Sequence, residues 1–325
     1  MSQVKKIKAG IIGGAGYTGG ELIRILINHP EVEIAYVLSK SQAGKLLSDV
    51  HPDLTGDTTL SFSSELADAD VVFLCVQHGE SKKYLEAHPI LLKSKIIDLS
   101  RDFRIKNNSG PGFVYGLPEL NKTAIQKANY IANPGCFATA IQLGLLPLAE
   151  KGLLNEAINV TATTGSTGAG QSLSATTHYS WRHSNLSVYQ AFGHAHVPEI
   201  NQSLSQLQSS YTSSLNFIPQ RGSFTRGILA VSQITCSLSQ QEIIDLYKAY
   251  YAAHPFVHIL NEVDVKQVVN TNKCFIQLIK QQDQLAIVSV IDNLLKGASG
   301  QAVQNMNLLF GLDETTGLKL KALLF

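Results

Sequence analysis

The sequence predicts an α/β protein of two units, a doubly wound parallel sheet followed by an α+β unit with a mostly antiparallel sheet. Three observations predict it. Short apolar strands alternate with helix-like stretches over residues 1–135, the pattern of βαβ units. After residue 136 the strands become longer and richer in Thr, Val and Ser, as in antiparallel sheets with flanking helices. At 325 residues the chain is longer than one core usually supports.

In order along the chain, KAGIIGG reads as a first strand and ELIRILINH as a helix stopped by Pro30. VEIAYVLS, VVFLCVQ and KIIDLS read as the next strands, with SKKYLEAHPILLK between the last two. NYIAN is a further strand, and FATAIQLGLLPLAEKGLL a long apolar helix with Pro147 near its end. INVTATTG, GILAVSQITCSLS and FIQLIKQQDQLAIVSVID carry the second sheet, with QQDQ as a hairpin connection. The polar, Ser-rich residues 201–215 are expected to include a surface loop. GASGQAVQNMNLLFG is again helical and on pattern alone could belong to either unit.

Composition excludes several classes. The chain is 44% hydrophobic and 16% charged with a formal net charge of +1, so no bulk field favours nucleic acid or an anionic membrane. No apolar run reaches the roughly 18 residues of a membrane span. The basic start MSQVKKIKAGIIGGAG has glycines where a signal peptide needs an apolar region, and a cytoplasmic location is expected. Cys75, Cys136, Cys236 and Cys274 are widely spaced without a CxxC pair, which argues against a zinc ribbon and a disulfide framework. Three sit in apolar or β-patterned stretches; Cys136 sits at a loop-to-helix junction.

GIIGGAGYTGGEL places glycines directly after a strand and at the head of a helix. Gly14, Gly16 and Gly19 satisfy G-x-G-x-x-G, while Gly13, Gly16 and Gly19 satisfy G-x-x-G-x-x-G; Tyr17 and Thr18 lie between the last two. Either spacing lets a pyrophosphate approach bare backbone and the helix N-terminal amides, so the first unit reads as a Rossmann dinucleotide domain. An NAD site normally carries a carboxylate at the end of the second strand. Here the strand ends in Leu38-Ser39-Lys40-Ser41, and Glu33 lies at its other end. Hydroxyls plus a lysine suit a 2′-phosphate, so NADP(H) is the expected cofactor; the alternative is that Lys40 is a solvated loop residue.

NPGCFATA places Cys136 after the last strand of that domain and at the head of a helix. A free cysteine is most often a small buried hydrophobe, but a helix N-terminus stabilises a negative sulfur and an oxyanion formed by its attack. A nucleophilic thiol beside a nicotinamide implies a thioester and hydride transfer. Such chemistry needs an acid/base. In FGHAHVPEI, His194 and His196 are two apart and would face one way on an extended segment, with Glu199 close enough to orient one. Zinc is the rival reading, with His178 or His183 as further ligands, but no third ligand has suitable spacing and no metal is expected. Two structural histidines are the other alternative.

These residues carry a resemblance. GGAGYTGGEL (13–22), DLSRDFR (98–104), YGLPELN (115–121), NPGCFAT (133–139), GSTGAG (165–170), HAHVPEI (194–200), RGIL (226–229) and DNLLKGASGQAVQNMNLLFGLDETTGL (292–318) resemble, nearly end to end, the N-acetyl-γ-glutamyl-phosphate reductase family. These are NADPH-dependent enzymes of arginine biosynthesis related to aspartate-semialdehyde and glyceraldehyde-3-phosphate dehydrogenases. The resemblance implies Cys136 as nucleophile and a histidine of HAH as acid/base, His196 being favoured over His194. It also implies that the helix around Ala302–Leu309 returns to the first domain, with Lys296–Asn305 near the cofactor. The expected domains are thus 1–135 with 297–325 for NADP, and 136–296 for substrate and oligomerisation. The expected substrate is a small acyl phosphate, N-acetylglutamyl phosphate or a related N-succinylglutamyl, aminoadipyl or aspartyl compound; HAHVPEI argues against the aspartyl one. A non-catalytic NADP sensor is the other class. Arg104 and Arg226, then Arg101 and Arg221, are candidates to hold its anions, with hydroxyl and backbone donors from Ser166 and Gly168. Relatives are commonly dimers or tetramers, so a homo-oligomer is expected. Two departures stand out: Ala195 replaces the family's usual Arg between the histidines, and Val76-Gln77 replaces an apolar Leu-Pro before His78-Gly79.

Overall fold

In a computed structural model, residues 5–106 and 112–324 are described; the outermost ends of the expected domains, 1–4 and 325, lie outside them. The chain forms two compact units, one of residues up to Pro134 with Ala298–Lys319, the other of Gly135–Gly297 with Leu320 onward.

The first unit opens with β1 (Ile7–Ile12), α1 (Tyr17–Leu26) and β2 (Val32–Leu38). On α1, Gly19, Leu22, Ile23 and Leu26 are buried, one face of a 3.6-residue period. A short α2 (Leu47–Val50) precedes β3 (Val71–Leu74). α3 (Ser81–Ala87) stops before Pro89, which starts a separate 3₁₀ turn at Pro89–Lys93, so SKKYLEAHPILLK is two pieces rather than one helix. β4 (Lys95–Asp98), β5 (Val114–Tyr115), α4 (Pro118–Gln126) and β6 (Tyr130–Ala132) follow. The six strands run in the order β2-β1-β3-β4-β6-β5, every pairing parallel. The order reverses between β1 and β3, the switch point outside which such sheets bind ligands.

The second unit starts with α5 (Cys136–Glu150), buried from Phe137 through Ala149. Pro147 has no N–H to give the Leu143 carbonyl; the Tyr251 hydroxyl donates to that carbonyl instead, and Tyr247 donates to Gly144 O at 2.5 Å. β7 (Ile158–Thr164), α6 (Tyr179–Arg182), β8 (Ser187–Val188), α7 (Val197–Leu207) and β9 (Leu215–Arg221) come next. The Ser-rich stretch is therefore helix through Leu207, and only its second half is loop. β10 (Ile228–Thr235), α8 (Gln240–Tyr251), β11 (Val257–Ile259), β12 (Cys274–Gln281) and β13 (Gln284–Ile291) complete the unit. β12 and β13 form the expected hairpin through Gln282-Asp283, with Gln282 at φ 51°.

The sheet order is β11-β12-β13-β10-β7-β9-β8. β11/β12 and β7/β9 are parallel and the other four pairings antiparallel, so the sheet is mixed but mostly antiparallel. Ile158, Val160, Ala162 and Thr164 of β7 face inward and are buried, and Ile228, Ala230, Ser232 and Ile234 of β10 do the same; α5 packs on β7, β10 and β13. The chain then returns to the first unit as α9 (Ser299–Leu309), fully buried against α1 and α4. No helix among the described residues is long and apolar enough to cross a membrane.

Candidate active site

In the first unit the glycine loop resolves the two possible spacings. Gly13 has φ +86°, and a Cβ there would meet the Cys75 carbonyl oxygen at 2.5 Å, so Gly13 makes the tight turn of G-x-x-G-x-x-G. A Cβ on Gly19 would sit 2.6 Å from Gly14 Cα, and one on Gly14 would strike Val37 at 2.1 Å; these two glycines let α1 and β2 close on the loop. Gly16 is the N-cap of α1, with no side-chain cap and no acidic residue in the first turn. The amides around Tyr17 and Thr18 therefore offer an anion-binding end. Thr18 also supports the loop from below: its carbonyl accepts from Ser299 Oγ at 2.8 Å, and its side chain bonds the Cys75 thiol. Ser39 is buried at the end of β2, 3.5 Å from Ser41 across their hydroxyls, and Lys40 is exposed.

Asn305, expected at the cofactor, is wholly buried and donates to Gly116 O at 2.9 Å and Asn133 Oδ1 at 3.0 Å. Its own Oδ1 is buried without a hydrogen-bond partner. Arg104 is buried as well; its Nε donates to Asn133 O at 2.9 Å and one terminal nitrogen to Leu99 O at 3.0 Å. Much of the fork expected to face substrate thus holds main chain just ahead of Pro134. Arg101 lies exposed in the loop after β4.

In the second unit Cys136 is the first residue of α5, behind the N-cap Gly135, and is partly exposed. Glu199, 2% exposed, accepts the Gly135 amide at 3.0 Å through Oε2, while its Oε1 lies 4.0 Å from His196 Nε2. One carboxylate therefore spans the cysteine turn and the histidine segment. His194 and His196 lie on a turn, not on the extended segment expected: His196 is αR and caps α7. The rings still meet, with centroids 4.6 Å apart, because the His196 amide donates to His194 Nδ1 at 3.2 Å. Phe137 presses on both rings at 5.5 and 6.3 Å. Burial holds His194 below its ordinary 6.5, with Glu199 opposing. A neutral His194 that accepts at Nδ1 carries its proton on Nε2.

Sequence reasoning missed three neighbours. A Cβ on Gly297 would lie 2.8 Å from Cys136 Cβ and 2.6 Å from Asn293 O, so only glycine fits behind the cysteine. Tyr189 interacts electrostatically with Cys136 and Arg221 and stacks edge-on to His194 at 5.9 Å; burial keeps its hydroxyl protonated, pushed up to about 12. Asp292, wholly buried, takes the Arg226 fork at 3.0–3.2 Å. Arg226 is thereby committed to Asp292, against the expectation that it presents its fork to substrate. Gly168 and Ser166 likewise spend their amides on Gly165 O and Phe224 O; only the Ser166 hydroxyl is left for the expected role. Among the described residues no group of three or more His, Cys, Asp or Glu could hold a metal.

Residues 8–128 match the family model described as semialdehyde dehydrogenase, NAD binding domain, and residues 136–293 the one described as semialdehyde dehydrogenase, dimerisation domain. Over 318 residues the chain is 57% identical to the N-acetyl-gamma-glutamyl-phosphate reductase of Phocaeicola vulgatus, covering 97% of this chain and 98% of that one. It is 58% identical over 320 residues to that of Parabacteroides distasonis, with the same coverage. The chain belongs to the N-acetyl-γ-glutamyl-phosphate reductase family. Its fold is that of aspartate semialdehyde dehydrogenase II from Vibrio cholerae, at TM-score 0.72 and 17% identity over 95% of this chain and 99% of that one. The NADP complex of the Candida albicans aspartate semialdehyde dehydrogenase scores 0.66 at 15% identity, over 94% and 98%. As an N-acetyl-γ-glutamyl-phosphate reductase family member the chain is an oxidoreductase, and its nucleotide unit is the one that carries the glycine turn.

Proposed function

We propose that the chain reduces N-acetyl-γ-glutamyl phosphate to N-acetylglutamate 5-semialdehyde with release of phosphate, as a step of arginine biosynthesis. The observation that carries the reading is Cys136 at the head of α5, tied through Glu199 to the His194–His196 pair. The N-terminal dipole of α5 favours negative sulfur. The sulfur attacks the acyl carbon, the carbon–oxygen bond to phosphate breaks, and a thioester forms on Cys136. NADPH, when bound, supplies the hydride that reduces this thioester. Gly13, Gly14, Gly16, Tyr17, Thr18 and Gly19 would hold its pyrophosphate, Ser39, Lys40 and Ser41 its 2′-phosphate, and the unpartnered Asn305 Oδ1 an amide donor. The cradle that added Cβ atoms would fill supports this fit.

The chain's own residues then manage charge and protons. His194 Nε2–H and the first amides of α5 stabilise the oxygen that becomes anionic at the tetrahedral carbon. His196, backed by Glu199, gives a proton to that oxygen to form the thiohemiacetal hydroxyl and takes it back as the carbon–sulfur bond breaks and returns negative charge to Cys136. Arg104 and Arg226 act as positioning residues, one on the turn before Pro134 and one through Asp292. Residues 1–135 with the returning α9 serve the cofactor and 136–296 the substrate and self-association, in a cytoplasmic homodimer or homotetramer.

NADPH oxidation with N-acetyl-γ-glutamyl phosphate tests the reading. Cys136→Ser is expected to abolish turnover while leaving NADPH binding by fluorescence intact; near-native turnover in that variant would overturn covalent catalysis.

A further inference from the structure

Strand parity places Arg221 on the helix-covered face of the second sheet. Leu215, Phe217, Pro219 and Arg221 share one side of β9, and the first three are buried. Arg221 pairs in parallel register with Thr164 and in antiparallel register with Ser187. Its guanidinium lies 4.8 Å over the Tyr189 ring, and that ring stands edge-on to His194 at 5.9 Å.

Arg182, 6% exposed, stands beside it. It donates to the Arg221 carbonyl, to Ser187 Oγ at 2.9 Å and to Asn185 O at 3.4 Å. Among the described residues neither arginine is paired with a carboxylate. Three buried polar atoms here lack any partner, Arg182 Nε, Arg221 Nε and Thr164 Oγ1. Arg182 is buried and Arg221 half-buried on neighbouring segments, and like charges so placed are unfavourable unless an anion joins them. The other arginine of this unit's expected anion set, Arg226, is taken by Asp292.

We propose that Arg221 and Arg182, with Thr164 and Tyr189, form a subsite for a carboxylate of the substrate, one side chain removed from His194. Planar forks suit a planar carboxylate. The subsite also supplies cationic character in a chain with Ala195 between its histidines. The carboxylate has two sources, the α-carboxylate that every glutamyl substrate carries or one at the end of a dicarboxylic N-acyl arm. The inference rests on Cys136 being the residue that receives the substrate's acyl group.

Protection of Cys136 against iodoacetamide tests it without turnover. N-acetylglutamate, N-succinylglutamate and inorganic phosphate are titrated against the native chain, Arg221→Leu and Arg221→Lys, with peptide mapping of the labelled thiol. The acylglutamates should slow labelling of the native chain, and the concentrations needed should rise about tenfold or more in Arg221→Leu and less in Arg221→Lys. Equal losses for both acylglutamates assign the α-carboxylate; a loss confined to N-succinylglutamate assigns the acyl arm. Unchanged protection in Arg221→Leu, or loss of phosphate protection alone, overturns the proposal. If circular dichroism shows that Arg221→Leu does not fold, Arg221→Lys carries the same comparison, its lost fork against its kept charge. Arg221-dependent protection in a chain that reduces no acylglutamyl phosphate would sink the proposed function and leave the subsite standing.

Discussion

Glu199 holds the Gly135 amide with one oxygen and faces His196 with the other, so one residue couples the turn of the proposed nucleophile to the proposed acid/base. Glu199→Gln keeps an acceptor for the amide and removes the charge behind His196; kcat should fall about 10²-fold with little change in KM. His194 supplies a pH test. Burial lowers its proton affinity below the ordinary 6.5, so on acidification the unfolded chain takes up this proton before the folded one. That contribution to stability is present above 6.5 and is lost as pH falls through the lower folded value. His29 and His258 are lowered in the same way, and the difference between native and His194→Gln denaturation midpoints across pH 7 to 5 isolates the His194 share; the variant should lose less stability over that range. The motif made the cysteine and the histidines legible. Tyr189 and the fates of Arg104, Arg226 and Arg221 were not legible, because a sequence does not say which acceptor a guanidinium finds in three dimensions.

At the scale of elements, α5 carries the proposed nucleophile at its head, and it contains a proline. Pro147 leaves the Leu143 carbonyl without its helical donor, and the Tyr251 hydroxyl from α8 fills the gap. Tyr251→Phe should therefore destabilise the fold by about 1–3 kcal/mol through a buried unsatisfied acceptor, read by chemical denaturation with the m-value unchanged. α8 begins with a reciprocal cap between Ser239 and Glu242, in sequence Ser-Gln-Gln-Glu, a start signal present in the residues themselves. α4 starts within YGLPELN, with Pro118 in its first turn, a helix start that the residues also carry. Gly297 sets a packing limit behind Cys136. Gly297→Ala should cost about 1–3 kcal/mol and slow Cys136 labelling, as seen by timed alkylation.

At the scale of the whole chain, two compact units accompany two family-model matches, over 8–128 and 136–293. The absence of a carboxylate at the end of β2, with Ser39, Lys40 and Ser41 in its place, bears on cofactor choice. Lys40→Asp should raise KM for NADPH about tenfold or more and narrow the gap to NADH, measured with both cofactors at saturating substrate. The inner face of the second sheet is covered by helices, while the other carries half-exposed residues such as Thr163, Leu229 and Val231. Light scattering on the purified chain tests whether self-association covers that face, with a dimer or tetramer expected.

The sequence by itself determined the order of strands and helices, the glycine turn, and the cysteine at a helix head. Each of these rests on local spacing and residue type. Tertiary structure decided which glycine turns, since Gly13 has positive φ and is closely approached by Cys75, just past the end of β3. It also decided which arginines are spent and which are not. Asp292 lies 66 residues from Arg226, while Arg182 and the Arg221 carbonyl meet across 39 residues, with no carboxylate paired to either arginine among the described residues. Charge pairing over such distances depends on how the sheet brings strands together, and local pattern does not encode it.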